Sequence, residues 1–172
     1  MSPLLIVFAG LPATGKSTLS REVAVRQDAV WLRVDTFEAA LVKAGLARPS
    51  EMGLAGYLLL RDVAAVQLEL GRTVVVDAVN GDEESRELWR SLAMELRLNL
   101  MVVEVTCSDP LEHRARVERR LPATPPLPAP TWSQVVQREY RPWSEPTLTV
   151  DSALPVEENV ERILSNLPRN AL

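Results

Sequence analysis

Gly10-Leu11-Pro12-Ala13-Thr14-Gly15-Lys16-Ser17 is the stretch that decides the fold of this chain, because it fits the phosphate-binding pattern G-x-x-x-x-G-K-[ST]. The apolar run 4–9 precedes it, as expected of a strand buried on both faces, and Leu19 and Val23 follow it at helical spacing. The two glycines allow the backbone to curl so that successive N–H groups point at phosphate oxygens. The next helix adds the positive end of its dipole. The sequence therefore predicts a strand, loop and helix that bind a nucleoside triphosphate.

The side chains of this loop predict how ATP and its metal are held. Lys16 can reach the β- and γ-phosphates as a catalytic group, and the Ser17 hydroxyl can coordinate Mg²⁺. The chain has only two lysines, Lys16 and Lys43, so a lysine at this position by chance would be rare. The predicted ATP-binding residues of the loop are Gly10, Leu11, Pro12, Ala13, Thr14, Gly15, Lys16, Ser17 and Thr18.

Length and charge limit the classes of protein to which the chain can belong. Its 172 residues predict one domain of ordinary size, residues 1–172. Nineteen basic and 23 acidic side chains give a net charge of −4, which disfavours nucleic acid as a partner. A single cysteine, Cys107, cannot form an internal disulfide and is predicted to be a small core residue. Neither a leader peptide nor a membrane span is recognisable, and we expect a cytoplasmic protein.

Strand-like and helix-like segments alternate along the chain, which predicts an α/β fold. We expect a P-loop NTPase three-layer sandwich, with a five-stranded parallel sheet, helices on both faces and a lid segment. The predicted strands are 4–9, 29–34, 73–76, 100–106 and 148–150. The predicted helices follow the loop and then span about 36–44, 52–70, 82–97 and 156–167, with further helices that start at capping boxes near 109–112 and 131–134.

The region 111–142 interrupts this alternation. Five prolines lie between Leu121 and Pro130, and they favour an extended, stiff connector over a helix or a central strand. An excursion of this length at the ligand-binding edge of the sheet is either a surface connection or a lid that closes over the triphosphate. We favour the lid.

Two acidic residues follow predicted strands at the edge where ligands bind in such sheets. Asp77 ends a β-branched strand in the manner of a Walker B element, and it is predicted to hold Mg²⁺ directly or through a water. Asp35 follows the second strand and is predicted to be the general base, although Asp35 or Thr36 could instead cap the next helix. Asn80 could orient the substrate or cap the helix that begins near Asp82.

Four arginines, at 114, 116, 119 and 120, crowd the helix before the proline connector. Arg116 and Arg120 share one helical face, and they could neutralise charge on the transferred phosphoryl group or remain solvated. The only histidine, His113, is predicted to be a surface residue. These residues give no His/Cys cluster of the kind that binds zinc.

The chain resembles small bacterial P-loop kinases related to chloramphenicol phosphotransferase, gluconate kinase, zeta toxins and the 5′-kinase domain of polynucleotide kinases. The resemblance rests on the loop 10–18 and on segments 34–37, 70–80, 107–110 and 150–155, together with the arginine-rich helix. It implies that Asp35 activates the acceptor hydroxyl. It also implies that the arginines of this helix supply the lid arginines, without fixing which of the four, and that the loop after the last strand lies near the base. We predict Arg116 and Arg120 as the catalytic arginines, with Arg116 also contacting the nucleotide.

The functional prediction is an ATP- and Mg²⁺-dependent kinase that phosphorylates a hydroxyl of a small antibiotic-, sugar- or nucleoside-like molecule. Two alternatives remain open: a polynucleotide-end or toxin-like kinase, and a regulatory ATPase that acts through a protein partner. The stretch between Val42 and Tyr57 carries no motif typical of one acceptor, and the residue types distinguish neither ATP from GTP nor one oligomeric state from another.

Overall fold

The computed structural model describes residues 3–119, 125–141, 143–144 and 148–168, and it contains one five-stranded parallel sheet. The strands are β1 Leu4–Ala9, β2 Val30–Arg33, β3 Val74–Asp77, β4 Asn99–Thr106 and β5 Leu148–Asp151. Their order across the sheet is β2-β3-β1-β4-β5, with β1 in the centre. Chain order reverses direction at β1, which opens a crevice at the carboxyl end of this strand. The predicted fold class is confirmed.

The described part of the chain contains seven helices. They are α1 Lys16–Arg26, α2 Val34–Lys43, α3 Ala55–Glu69, α4 Glu83–Glu95, α5 Pro110–Arg119, α6 Trp132–Gln137 and α7 Val156–Ser165, with a 3-10 turn at Pro49–Glu51. Among them, α1, α2, α3, α4 and α7 pack against the strands. None of the helices in the described ranges is long and apolar enough to cross a lipid bilayer.

The central position of β1 in the sheet explains why every residue of this strand is apolar. Leu5 and Val7 point into a core that contains Trp89 and lies beneath α3 and α4, whereas Ile6 and Phe8 point into the opposite core. That second core lies beneath α1 and α7. A strand covered on both faces needs apolar side chains in both directions, so it shows no alternation.

The start of α2 differs from its prediction. β2 was expected to include Val34, but the strand ends at Arg33 and Val34 is already the first residue of α2. Val34 is buried in the core beneath α3 and α4, so the chain turns into the helix as soon as the strand ends. Asp35 therefore lies in the first turn of α2, and neither Asp35 nor Thr36 caps this helix, since the N-cap is Arg33.

Cys107 also departs from its prediction. Its side chain is only partly buried, and its Sγ atom lies 3.4 Å from the Asp109 carbonyl oxygen. The strand β4 has ended one residue earlier, at Thr106, so Cys107 belongs to the turn that leads into α5 and not to the core.

Candidate active site

The loop 10–15 curls tightly between β1 and α1. Gly10, Ala13 and Gly15 have φ angles of 138°, 62° and 92°, in the left-handed region that favours glycine. A Cβ atom on Gly10 would lie 2.3 Å from the Val105 carbonyl oxygen, so no other residue fits there. The glycines of the motif are thus required by the backbone path, which also leaves the first amides of α1 directed at the mouth of the loop.

Hydrogen bonds within the loop hold its curl. The Leu11 carbonyl oxygen accepts hydrogen bonds from the Thr14 hydroxyl at 2.9 Å and from the Lys16 Nζ at 2.7 Å. Lys16 is buried, with 7% of its surface exposed, and the half-buried Ser17 follows it in the first turn of α1. The cationic lysine head therefore lies over the concave side of the loop, where the phosphates of a nucleotide would be bound.

The two predicted acidic residues meet on one guanidinium group. Arg33 lies between them, with its Nη2 atom 3.2 Å from the Asp35 carboxylate and its Nε atom 3.2 Å from the Asp77 carboxylate. Asp77 is buried, whereas Asp35 is partly exposed. Sequence analysis missed Arg33, since a charged residue at the last position of a strand carries no signal of its own.

The donor atoms near the loop fit a magnesium ion. Mg²⁺ prefers oxygen ligands and retains several waters, so it needs only one or two protein groups besides the phosphates of its nucleotide. The Ser17 hydroxyl and the buried Asp77 carboxylate lie on the same cavity and supply such oxygens. Among the described residues no group of three His, Cys, Asp or Glu side chains could hold a metal alone.

A cavity of about 1550 Å³ extends from the loop toward α2, α3 and α6. This volume exceeds the roughly 300–1,000 Å³ of a typical small-molecule pocket, and it leaves room for a second molecule beside a nucleotide. Residues 127–130 of the proline-rich connector and the exposed end of α6 line its outer side. Its inner side is lined by loop residues Pro12, Ala13, Gly15, Lys16, Ser17 and Thr18, and by Asp35 and Asp77.

Arg116 is the arginine of α5 that is fixed beside the loop. It donates hydrogen bonds to the Ser152 hydroxyl at 2.7 Å and to the Ser152 carbonyl at 3.0 Å, and its Nε atom contacts Glu112 at 2.9 Å. A Cβ built on Gly15 would lie 3.2 Å from the Ser152 Cβ, so the loop after β5 packs directly on the phosphate loop. This places 152–154 beside the site, where the resemblance had implied a base-binding loop.

The other arginines of α5 occupy different surroundings. Arg119 lines the main cavity, whereas Arg114 is exposed and pairs with Glu118 at 2.7 Å. Arg120, predicted to share the catalytic face with Arg116, lies outside the described residues.

His113 is not the surface residue that was predicted. It is 7% exposed, its Nε2–H donates to the Pro12 carbonyl oxygen at 2.8 Å, and its ring meets Trp132 edge-on with centroids 5.2 Å apart. The side chain therefore connects the phosphate loop to α5 and α6. The helical spacing indicated that His113 faces inward, because His113 lies one turn before the buried Val117.

Asn80 has neither of its predicted roles, since Asp82 caps α4 and Asn80 is fully buried. Its amide donates to the Phe8 carbonyl at 2.9 Å and accepts from the Trp89 indole at 2.8 Å. With a φ of 50°, it holds the loop after β3 against β1. Asn80 thus fixes the backbone from which Asp77 extends, without facing a ligand.

A smaller cavity of about 180 Å³ lies beside Gly15, Thr18, Arg116 and Ser152. Asn159, at 1% exposure, lies at its base and donates from Nδ2 to the Asp151 carbonyl at 2.8 Å. The Asp151 carboxylate in turn accepts hydrogen bonds from the Ser108 hydroxyl, the Ser108 backbone N–H and the Ala153 backbone N–H. These hydrogen bonds lower the pKa of Asp151 below its usual range. The loop after β5 is therefore fixed in shape, as a surface that contacts a nucleotide base needs to be.

Comparison with known families gives one match, an AAA domain model that covers residues 5–141. The matched range includes the phosphate loop, both acidic residues, α5 and α6. Comparison with curated proteins gives no match.

Many solved structures share the fold, at identities too low to show more than the fold. The Mycobacterium tuberculosis APS kinase CysC in complex with AMPPNP and APS superposes with a TM-score of 0.73 at 17% identity, covering 95% of this chain and 96% of that one. A gluconokinase from Sinorhizobium meliloti gives 0.69 at 19%, with 95% and 90% covered. Chaetomium thermophilum Kti12 in complex with ADP-AlF3 gives 0.71 at 19%, with 96% and 100% covered.

Proposed function

We propose, since this chain belongs to the AAA domain family, that it is an ATP-dependent phosphotransferase acting on a hydroxyl of a small molecule. The observation that carries this proposal is that Lys16, Asp35 and Asp77 line one large cavity, which has space beyond the phosphate loop. The APS kinase and gluconokinase with the same fold are phosphotransferases with small acceptors, which supports the class of reaction.

In the proposed reaction, the loop amides, Lys16 and Ser17 hold the phosphates of ATP. The acceptor oxygen forms a bond to the γ-phosphorus while the bond from that phosphorus to the β–γ bridging oxygen breaks, and ADP leaves. Asp35 takes the proton of the acceptor hydroxyl. Mg²⁺, held through Ser17 and Asp77, would neutralise charge on the phosphates. The guanidinium of Arg33 orients the Asp35 carboxylate before the acceptor arrives.

Arginine side chains complete the proposed site from the side of α5. Arg116 is fixed next to Gly15 and is positioned to contact the nucleotide, and Arg119 faces the same cavity. Positive groups that are already in place stabilise the charge of the transferred group at little cost in reorganisation. We retain Arg120 as a proposed catalytic residue on the resemblance alone. The connector and α6 would close over the triphosphate as the lid.

We further propose that residues 1–172 act as one kinase unit in the cytoplasm. The free thiol of Cys107 is compatible with a reducing compartment. A nucleic acid remains a poorer partner than a small molecule, because the net charge is −4 and the cavity is lined by acids as well as bases.

The test is ADP production from Mg-ATP, with and without a panel of sugars, nucleosides, amino alcohols and hydroxylated antibiotics. We expect one class of small acceptor to raise turnover at least about tenfold above hydrolysis in water, and mass spectrometry to find the phosphate ester. Lys16→Ala should remove this activity. Stimulation by oligonucleotide 5′ ends, or by a protein alone, would favour one of the alternative functions.

A further inference from the structure

The part of the cavity farthest from the phosphate loop is the space left for the acceptor. It is bounded by α2, the starts of α3 and α4, and the end of α6. Its lining combines apolar side chains with several charged ones. These residues are Asp35, Glu38, Met52, Leu54, Tyr57, Asp82, Glu84, Gln134, Gln137 and Arg138.

Glu38 is the residue in this space that the proposed reaction does not use. It lies one helical turn after Asp35 on the same face of α2, and both side chains line the cavity. Burial, and then the negative charge of Asp35, raise the pKa of Glu38, while the charge of Arg138 opposes this effect. Within the described ranges, no hydrogen bond or ion pair ends on the Glu38 carboxylate. A half-buried carboxylate next to another carboxylate carries an electrostatic cost that a positive ligand would offset.

The position of Glu38 is fixed by close packing against α3. A Cβ atom on Gly56 would lie 2.4 Å from the Glu38 Cγ, so the backbone of α3 touches the stem of the glutamate directly. Tyr57, the next residue of α3, also lines the cavity, and its hydroxyl accepts a hydrogen bond from the Asn80 backbone N–H at 3.3 Å. Burial raises the pKa of Tyr57 to about 12, so this wall of the cavity is uncharged. The carboxylate of Glu38 is therefore held toward the cavity by its surroundings.

Five acidic and five basic side chains line the cavity as a whole, but they are distributed unevenly. Lys16, Arg116 and Arg119 belong to α1 and α5 at the phosphate end, whereas four carboxylates on α2 and at the start of α4 lie in the acceptor space with Arg138, and with Arg33 at its border beside Asp35. Arg33 is already engaged by Asp35 and by Asp77. An anionic acceptor would meet repulsion from this lining, whereas a protonated amine would find a carboxylate within a cavity of reduced dielectric. The four carboxylates belong to Asp35, Glu38, Asp82 and Glu84.

We propose that Glu38 is a specificity-determining residue and that the acceptor is an amino alcohol or amino sugar, whose protonated amine binds the Glu38 carboxylate while a hydroxyl faces Asp35. This inference rests on the proposed function, since it assigns the substrate class of the same site. Charge-assisted hydrogen bonds are roughly twice as strong as neutral ones, so one such contact can decide between otherwise matched acceptors.

Two sets of compounds, each matched in skeleton and different in charge, test the proposal. The first set is 3-amino-1,2-propanediol, glycerol and glycerate. The second set is glucosamine, glucose and gluconate. Each set is given in the order amine, neutral compound and acid. Binding is measured by NMR titration on the full chain loaded with magnesium and AMPPNP. We expect the amine of at least one set to bind about tenfold to a hundredfold more tightly than the neutral member, and the acid most weakly. Equal affinity throughout, no binding by any member, or preference for an acid overturns the proposal.

Variants then assign the preference to this glutamate. Glu38→Gln keeps the shape of the side chain, and it should reduce amine affinity to that of the neutral compound while leaving AMPPNP affinity unchanged. Gly56→Ala should weaken the amine preference as well, because the new methyl displaces the Glu38 stem. The matched control is Glu51→Gln, an exposed glutamate outside the cavity, which should keep the full preference. A preference that survives in Glu38→Gln removes Glu38 from this role.

Phosphoryl transfer to the same compounds separates this inference from the proposed function. Amine binding without any transfer from ATP would contradict the kinase and leave the charge preference standing. Rapid transfer to a neutral or acidic acceptor, with the amine ignored, would support the kinase and overturn the inference.

Discussion

Arg33 joins two carboxylates that have different proposed tasks, and this arrangement makes the role of Asp35 testable at the scale of one residue. Asp77 is nearly inaccessible, whereas Asp35 is open to the cavity in which an acceptor would lie. Shared contact with one guanidinium fixes the positions of both carboxylates. Removing the charge of Asp35 should therefore affect transfer and leave nucleotide binding in place.

We expect Asp35→Asn to lower kcat by about 10²–10⁴-fold, the range found for loss of a general base. The dissociation constant for Mg-ATP should change by less than about threefold, since the proposed phosphate ligands are the loop amides, Lys16 and Ser17 and not this carboxylate. Steady-state kinetics with the best acceptor and calorimetry with Mg-ATP supply the two numbers. Asp62→Asn, an exposed change on α3, is the control. Undiminished kcat in Asp35→Asn would exclude Asp35 from proton transfer.

At the scale of residues, the sequence could place a side chain at the cavity where a single motif or a strand end gives its position. Lys16, Ser17, Asp35 and Asp77 line one cavity because a loop and two parallel strands end at the same edge. Glu38 and His113 were not recognised as cavity or loop neighbours. Their roles depend on which side of a helix faces the loop, and that is decided by packing between distant segments.

At the scale of elements, a buried arginine is prominent among the contacts that attach the segment following α6 to the body, beside the Tyr140 hydroxyl bond to Glu104 and the burial of Trp143 in the core. Arg86 in α4 is 3% exposed, and it donates to the carbonyl oxygens of Asn80 and Arg141. Its guanidinium also lies over the rings of Tyr140 and Trp143, at 5.6 and 4.7 Å from the centroids. The end of the proposed lid is therefore fixed on the loop after β3, close to the site.

Loss of this anchor should loosen the proposed lid more than the sheet. We expect Arg86→Ala to destabilise the fold by about 2–4 kcal/mol, because buried carbonyls lose charged donors and two rings lose a cation. Trp143, now 9% exposed, should become accessible, with red-shifted emission and faster quenching by acrylamide. Urea unfolding and tryptophan quenching measure the two effects.

The matched control for this variant is Arg141→Ala. Its side chain is exposed and pairs with Glu139 at the surface, whereas the Arg141 carbonyl that Arg86 uses is retained. This control should lose less than about 1 kcal/mol, as expected of an exposed ion pair. Equal behaviour of the two variants would show that Arg86 does not anchor the segment.

The elements themselves were largely predictable, because apolar runs and helical periodicity are local signals. The sheet strands and the capping box at Thr131 were confirmed, the latter with both of its hydrogen bonds. The start of α2 was predicted too late, since no capping residue marks it and the burial of Val34 decides where the helix begins. The anchor at Arg86 was missed for a related reason. Its partners in the segment after α6 lie more than 50 residues away, and nothing nearby in the sequence indicates them.

At the scale of the whole molecule, the proposed nucleotide site lies across the junction of the two cores. The phosphate loop continues from β1, which packs into both cores, and it contacts α5 through His113 and the loop after β5 through Gly15. A nucleotide bound there touches segments that are distant in the chain and come together only in the folded state. Its binding free energy therefore adds to the stability of the entire fold.

This coupling predicts a thermal shift whose size grows with the ratio of nucleotide concentration to dissociation constant. Mg-ATP at 100 times its dissociation constant should stabilise the native state by about 2.7 kcal/mol, which corresponds to roughly 5–10 °C in Tm for a domain of this size. Calorimetric scans at several ATP concentrations measure the shift. ATP with EDTA should give a smaller Tm shift if Ser17 and Asp77 act through Mg²⁺. The Lys16→Ala variant should show almost no Tm shift at the same Mg-ATP concentrations. A wild-type Tm that stays constant up to millimolar Mg-ATP would contradict nucleotide binding, and with it every role proposed for the phosphate loop.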